Sequence, residues 1–253
     1  MRVVASIKPL ALIAEDLLGE LGEVQVLIRG AASPHDYALR ASDIRRLHNA
    51  DLIIWMGPEL ERFLEKPLAG LPPEQVLTLG SSASGDLHQW LDPDLAQTMA
   101  RAITRRLLQL YPAAHSLLEQ RLAAVLADYE QLNEELERML ASVRERGFVV
   151  EHQGYDYFVR AYRLNQLGWI SAGPEQPPGV RHLYQLEKKL RERSGEERAR
   201  CLFIEHAHQS DTAHNLAEQL NLELRALDIL GQLADSYAEL MRNLAEDVVD
   251  CLA

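Results

Sequence analysis

The amino-acid sequence predicts an α/β protein of two lobes, each a mostly parallel sheet flanked by helices, joined by one long rigid helix. Three observations support this fold class. Short apolar runs alternate with helical segments in the first half of the chain, the same rhythm returns after residue 147, and a glycine-free amphipathic stretch separates the two halves. Strands that alternate with helices favour a parallel sheet covered on both faces.

Eight short segments carry the strand signal, because each forms a short apolar or alternating run between helical segments or turn residues. In chain order they are Val3–Ile7, Val24–Ile28, Leu52–Met56, Val76–Leu79, Phe148–Glu151, Gln166–Ile170, Cys201–Ile204 and Glu223–Leu227. Helical spacing predicts helices at Leu10–Leu18 and Ser42–Asn49 and a shorter helical piece at Glu59–Leu64. Two α/β lobes of similar size follow from this order.

The longest helical signal runs from Pro112 to about Arg146, contains no glycine, and has its proline at the first position, where helices accept it. Apolar residues recur at intervals of four and three, which predicts one apolar stripe on a single helix. The stripe comprises Leu118, Leu122, Val125, Tyr129, Leu132, Leu136, Met139 and Val143. A coiled-coil dimer seam is the alternative to packing against both lobes. The predicted limits are 1–111 for the N-terminal lobe, 112–146 for the connecting helix and 147–253 for the C-terminal lobe.

Composition narrows the function classes. The chain has 253 residues, of which 47% are hydrophobic and 25% charged, enough for one large domain or two ordinary ones. The net charge of −12 argues against nucleic acid or an anionic membrane as partner, since both require basic patches. Residues Met1–Ile7 enter a strand directly and lack the pattern of a signal peptide. Such a start fits a cytoplasmic protein, or a mature secreted domain with an added Met.

The two cysteines, Cys201 and Cys251, form no Cys-x-x-Cys motif, which excludes a thiolate zinc knuckle. Their spacing alone leaves open two free thiols or one disulfide. A disulfide closing a loop of about 50 residues would stabilise the fold by roughly 3–4 kcal/mol and would indicate an oxidising compartment.

Three histidines occupy junctions between strands, loops and helices. His35 follows a predicted strand and a turn, His88 precedes the helix start at Asp92-Pro93, and His152 ends a predicted strand. Such junctions are where α/β folds place ligand-binding groups, and three imidazoles suit Zn²⁺. Asp228, which follows the last predicted strand, is the candidate fourth ligand. The sequence therefore favours a zinc carrier, although a single histidine in such a place is more often an ordinary surface or hydrogen-bonded residue.

A zinc-dependent hydrolase that uses the same three histidines is the alternative from another class. It would need an open coordination position and a general base, for which Glu151 and Glu205 are candidates. The chain contains no His-Glu-x-x-His, Gly-x-Ser-x-Gly or phosphate-binding glycine loop, so a carrier is favoured over an enzyme. A third interpretation is an adhesin or interaction module that uses metal only structurally, which would unfold on chelation.

Four segments, in order along nearly the whole chain, resemble the TroA-like metal-binding proteins of bacterial ABC importers. They are Gly30–Tyr37, His88–Pro93, His152–Phe158 and Leu227–Gly231. A histidine at the third position marks the zinc branch of that family, since manganese members carry Glu there. The resemblance implies one transported Zn²⁺ per monomeric chain, held by His35, His88, His152 and either Asp228 or water, in a cleft between the lobes. It also implies capture in the periplasm and delivery to a membrane permease. A carrier of manganese or another divalent metal is the alternative within the family.

The same resemblance implies a disulfide between Cys201 and Cys251. Tyr37 and Trp90 are predicted to wall the metal cleft. His206 and His208 are a candidate secondary metal site, for which a solvated loop is the favoured alternative. Two departures from the family pattern stand out in the sequence. The His- and Asp-rich loop that many zinc members carry before the second ligand is reduced to Ser81–Asp86, and Pro34 replaces the Glu that precedes the first ligand in some relatives.

Overall fold

The computed structural model describes residues 1–30, 32–80, 86–173, 178–195, 198–205 and 210–253. The chain divides into two compact units, Met1–Asn133 with Leu230–Leu240, and Glu134–Ile229 with Met241–Ala253. Each unit contains one four-stranded parallel sheet flanked by helices, and a long helix lies between the two sheets in the chain. The predicted fold class is therefore confirmed, while the predicted lobe limits of 1–111, 112–146 and 147–253 stay predictions.

The sheet of the first unit has the strand order β2-β1-β3-β4, and all its pairings are parallel. Its strands are β1 (Arg2–Ala5), β2 (Glu23–Val26), β3 (Leu52–Trp55) and β4 (Val76–Thr78). Its helices are α1 (Lys8–Leu18), α2 (Ala41–Asn49), α3 (Glu65–Ala69) and α4 (Pro93–Leu110). The central strand β3 is buried along its whole length, as its unbroken apolar run requires when helices cover both faces.

One predicted helix of the first unit is wrong. The segment Glu59–Leu64 forms a turn and then a 3-10 helix at Arg62–Leu64, and the regular helix α3 begins only at Glu65. The physical reason is Glu61, whose fully buried carboxylate accepts the backbone N–H groups of Met56 at 2.7 Å and Gly57 at 3.2 Å. These bonds turn the chain back toward the end of β3, which a continuous helix would not allow.

The sheet of the second unit has the order β6-β5-β7-β8 and is also parallel. Its strands are β5 (Gly147–His152), β6 (Gln166–Ser171), β7 (Ala199–Glu205) and β8 (Glu223–Leu227). The helices that follow the long connecting helix are α6 (Asp156–Tyr162), α7 (Val180–Arg191), α8 (Asp211–Leu220) and α9 (Tyr237–Leu252). A disulfide joins Cys201 in β7 to Cys251 in α9, so the implied cysteine pairing is present.

The predicted long helix is α5 (His115–Leu140), with 3-10 turns at Pro112–Ala114 and Ala141–Val143 at its two ends. Most of the apolar stripe is buried, and Leu122 and Met139 are half-buried. The stripe is thus used for packing within the chain. No described helix combines the length and apolarity needed to cross a membrane.

The segment Leu230–Leu240 returns to the first unit after the chain has built β8 of the second. The buried Tyr237 donates its hydroxyl proton to the carbonyl of Trp90 at 2.7 Å, and its ring lies 4.6 Å from that of Tyr129. The ammonium group of Lys8 donates to the carbonyl of Gln232 at 3.0 Å. These contacts join the returning segment to the loop before α4, to the start of α1 and to the long helix that contains Tyr129.

Candidate metal centre

His88 lies in the loop before α4 and is held by the carboxylate of Asp86. One oxygen of Asp86 accepts the backbone N–H of His88 at 2.8 Å and lies 2.7 Å from its Nδ1. The Trp90 ring lies 5.0 Å from the imidazole, and both side chains are buried. Because an ionised carboxylate only accepts hydrogen bonds, Nδ1 carries the hydrogen and Nε2 keeps the lone pair that a metal needs.

His152 is held in the same way by Glu205. Its Nδ1 lies 2.5 Å from a carboxylate oxygen of Glu205, and the imidazole is buried. The parallel register pairs Val150 of β5 with Phe203 of β7, so the residues two positions further along each strand lie side by side on one face. The carboxyl ends of two neighbouring strands therefore supply the ring and the group that orients it, and Nε2 is again the metal-binding nitrogen.

His35 lies in the loop between β2 and α2. Its backbone N–H donates to the hydroxyl of Ser33 at 3.2 Å, a local turn bond that shapes the loop. Further along, the Tyr37 hydroxyl donates to Asp43 at 3.2 Å. Asp43 is fully buried near the start of α2 and also bonds the guanidinium of Arg46 at 2.6 Å. The loop is thus anchored to α2 directly after the histidine.

The three histidines are brought together. One ring nitrogen from each of His35, His88 and His152 lies within 4.8 Å of the other two, and the group could hold a metal ion. Three imidazole nitrogens, with a fourth position left for a carboxylate or water, are a donor set that suits Zn²⁺. Soft-to-borderline nitrogen donors make the site less suited to Mg²⁺, Ca²⁺ or Mn²⁺, which prefer oxygen ligands.

The other predicted site residues have different outcomes. Asp228 follows β8 and does not belong to the group of ligand atoms within 4.8 Å of one another, so its role as fourth ligand stays a prediction. His206 and His208 lie outside the described residues. Tyr37 is half-buried with its ring 5.5 Å from that of Phe63, and Trp90 is fully buried. That these two aromatic residues wall a cleft stays a prediction.

Sequence reasoning missed the orienting role of two carboxylates. The sequence suggests Glu205 only as the general base of a hydrolase, whereas in the structure its carboxylate lies against Nδ1 of His152. Glu151, the other candidate base, adjoins His152 in β5, and neighbouring residues of a strand direct their side chains to opposite faces of the sheet. Asp86 carried a local signal, because an Asp two residues before His88 can form an Asx turn with the intervening backbone.

Replacing Glu205 with Gln is expected to weaken zinc binding by about tenfold or more, since partners that orient metal-binding histidines contribute on that scale. The amide keeps the shape of the side chain but removes the charge that fixes the Nδ1–H form of His152. The dissociation constant is measured by competition with a zinc chelator. Glu187→Gln, in an exposed pair with Arg191 on α7, is the matched control. Equal zinc affinities for the Glu205 variant and the control would contradict the assigned role.

Comparisons with known proteins agree with this site. The sequence model of the family described as "ZnuA: Zinc-uptake complex component A periplasmic" matches residues 3–251. The high-affinity zinc uptake system protein ZnuA of Yersinia pestis is 32% identical over 292 aligned residues, which cover 99% of this chain and 91% of that protein. The protein of the same name from Haemophilus ducreyi is 30% identical, with 99% and 93% covered.

Solved structures give the same result. A crystal structure of ZnuA superposes with a TM-score of 0.86 at 25% identity and covers 100% of this chain and 99% of its own. A zinc-bound ZnuA with a deletion at 138–173 superposes with a TM-score of 0.85 at 27% identity, with 100% and 98% covered. The family model matches almost the entire chain, two relatives are at least 30% identical to it, and three histidines come together in its structure. The chain therefore belongs to the ZnuA family of zinc-uptake proteins.

Proposed function

We propose that this protein captures Zn²⁺ in the periplasm and delivers it to the membrane permease of a zinc ABC importer. The observation that carries the proposal is the group of His35, His88 and His152, whose ring nitrogens lie within 4.8 Å of one another. Membership of a zinc-uptake family supplies the transport role. Zinc is therefore the cargo of this site and not the cofactor of an enzyme.

The chemistry of the site supports capture of zinc over manganese. Asp86 and Glu205 each face the Nδ1 atom of their histidine, so Nε2 of His88 and of His152 is left to bind the metal. Asp228 or water completes the coordination in this proposal. Acidification weakens binding, because protons compete with the metal for the same nitrogen atoms.

We further propose that the protein acts as a monomer. The apolar stripe of α5 was the strongest candidate for a dimer seam in the sequence, and its residues Leu118, Val125, Leu132 and Leu136 are buried within the chain. The partners of the family's importers, a permease and its ATPase, are then the proteins to which a zinc-loaded monomer is presented.

The proposal is tested by zinc titration of the wild type and of His35→Ala, His88→Ala and His152→Ala. We expect one Zn²⁺ per wild-type chain and a loss of affinity on the order of 100-fold or more in each variant, because a ligand is lost and not merely its support. His115→Ala, an exposed histidine on α5, is the control and should bind as the wild type does. Unchanged affinity in a variant would remove that histidine from the site.

Two further measurements separate the alternatives. Anomalous diffraction at the zinc edge identifies the metal and its ligands together, including the atom at the fourth position. Circular dichroism after chelation distinguishes a carrier from a structural zinc protein, since a carrier stays folded without metal. Unfolding on chelation would contradict the transport role.

A further inference from the structure

Gln232 is bonded to the beginning of the loop that carries His35. Its side-chain amide donates a hydrogen bond to the carbonyl of Gly30, which stands between β2 and His35. The backbone carbonyl of Gln232 in turn accepts the ammonium group of Lys8, the first residue of α1, at 3.0 Å. One glutamine of the returning segment therefore joins the start of the ligand loop to the start of α1.

Close packing does not fix this end of the loop. Gly30 is exposed and has a φ of 67°, in the left-handed region that favours glycine, and a side chain there would meet no described atom within 4 Å. A cavity of about 460 Å³ lies beside it, lined by β2, Gly30, Ala32, Leu230 and Gln232 among others. The hydrogen bond from Gln232 is thus the contact that restrains the loop where it leaves the sheet.

The turn that presents Gln232 is itself firmly held. Gly231 has a φ of 62°, and a side chain at that position would come within 2.4 Å of Cδ1 of the buried Leu240 on α9. The nearby side chains of Ile229 and Ala234 are also buried. Since the backbone packs this closely on both sides of it, Gln232 offers its amide from a fixed position.

We infer that Gln232 is a positioning residue of the metal centre, which holds the His35 loop in its metal-binding conformation through the carbonyl of Gly30. A loop that is already restrained loses less conformational freedom when its histidine joins His88 and His152 around a metal, so the bond raises affinity without touching the ion. This inference rests on the proposed zinc site and adds a residue that preorganises one of its ligands.

The test compares zinc dissociation constants, measured by chelator competition, for the wild type, Gln232→Glu and Gln232→Lys. Gln232→Glu keeps the size of the side chain but sets an acceptor against the Gly30 carbonyl, and it should raise the constant by about fivefold. Gln232→Lys keeps an N–H donor and should stay within about twofold of the wild type. Long-range charge would produce the opposite order, because an added negative charge attracts Zn²⁺ and an added positive charge repels it.

Two further variants separate positioning from a general loss of stability. Gln75→Glu is the matched control, since the amide of Gln75 also bonds backbone carbonyls, those of Leu47 at 3.1 Å and Ala50 at 2.7 Å, and it should leave zinc affinity unchanged. In the His35→Ala background, Gln232→Glu should change the remaining affinity by less than about twofold, because Gln232 acts through His35.

Three results would overturn the inference while the zinc site itself stands. They are wild-type affinity in Gln232→Glu, equal losses in Gln232→Glu and Gln232→Lys or in Gln75→Glu, and an undiminished effect of Gln232→Glu when His35 is absent. A wild-type protein that binds no zinc would instead overturn the proposed function, and this inference with it.

Discussion

Replacing both Cys201 and Cys251 with alanine is expected to lower the free energy of unfolding by about 4 kcal/mol. The disulfide joins residues 50 apart in sequence and so restricts a long loop of the unfolded chain. It also ties the last helix, α9, to the buried strand β7 of the second unit. Without it, the end of α9 is held to the sheet by noncovalent contacts alone.

Urea unfolding with and without a thiol reductant measures this effect. The wild type in reductant should approach the stability of the alanine variant, and the variant should not respond to reductant at all. The wild type without reductant is the reference. A variant that unfolds at the same urea concentration as the oxidised wild type would show that the disulfide adds no stability.

Replacing Glu61 with Gln is expected to remove one pH-dependent contribution to the free energy of unfolding. In the wild type this contribution changes by up to about 3 kcal/mol between acid and alkaline solution. Complete burial raises the pKa of the Glu61 carboxyl from 4.5 to about 7, and this rise is partly offset by the hydrogen bonds that the backbone N–H groups of Met56 and Gly57 donate to it. Between those two pH values the folded protein holds a proton that the unfolded chain has released. The stability from this proton is complete below about pH 4.5 and is lost as the pH rises through about 7.

The neutral glutamine amide has no such proton to lose. Relative to the wild type, Glu61→Gln should therefore gain stability as the pH is raised from 5 to 8, and unfolding curves at several pH values measure the gain. Glu59→Gln, two residues away and exposed, is the matched control and should follow the wild type. Parallel pH curves for wild type and Glu61→Gln would contradict the buried, protonated state.

The strands of this fold could be predicted because their signals are local. Each of the eight predicted strand segments overlaps a strand of the structure, and the limits Glu223–Leu227 coincide with those of β8. The error at Glu59–Leu64 has a different origin. Helical spacing was present in the sequence, but the buried carboxylate of Glu61 bonds backbone N–H groups before it in the chain and breaks the helix. Spacing of apolar residues carries no information about such a bond.

The metal centre was partly predictable for a related reason. His88 and His152 stand at ends of elements that local patterns identify, and the resemblance to a family supplied the link between them. The partner of His152 depends on β5 and β7 being neighbours in the sheet, a fact of strand order that no local pattern contains. The same holds for the cysteine pair, because spacing alone does not show that α9 approaches β7.

The return of Leu230–Leu240 to the first unit has a consequence for biosynthesis. When a growing chain has reached residue 133, it contains all four strands of the first sheet but lacks Tyr237, the residue that contacts Trp90 and Tyr129. The amino-terminal unit thus stays incomplete until almost the whole polypeptide has emerged from the ribosome or the export channel. The two units therefore cannot be completed strictly one after the other, and a fragment cut at residue 133 would lack the ring that packs on Tyr129 and the hydroxyl that bonds the Trp90 carbonyl.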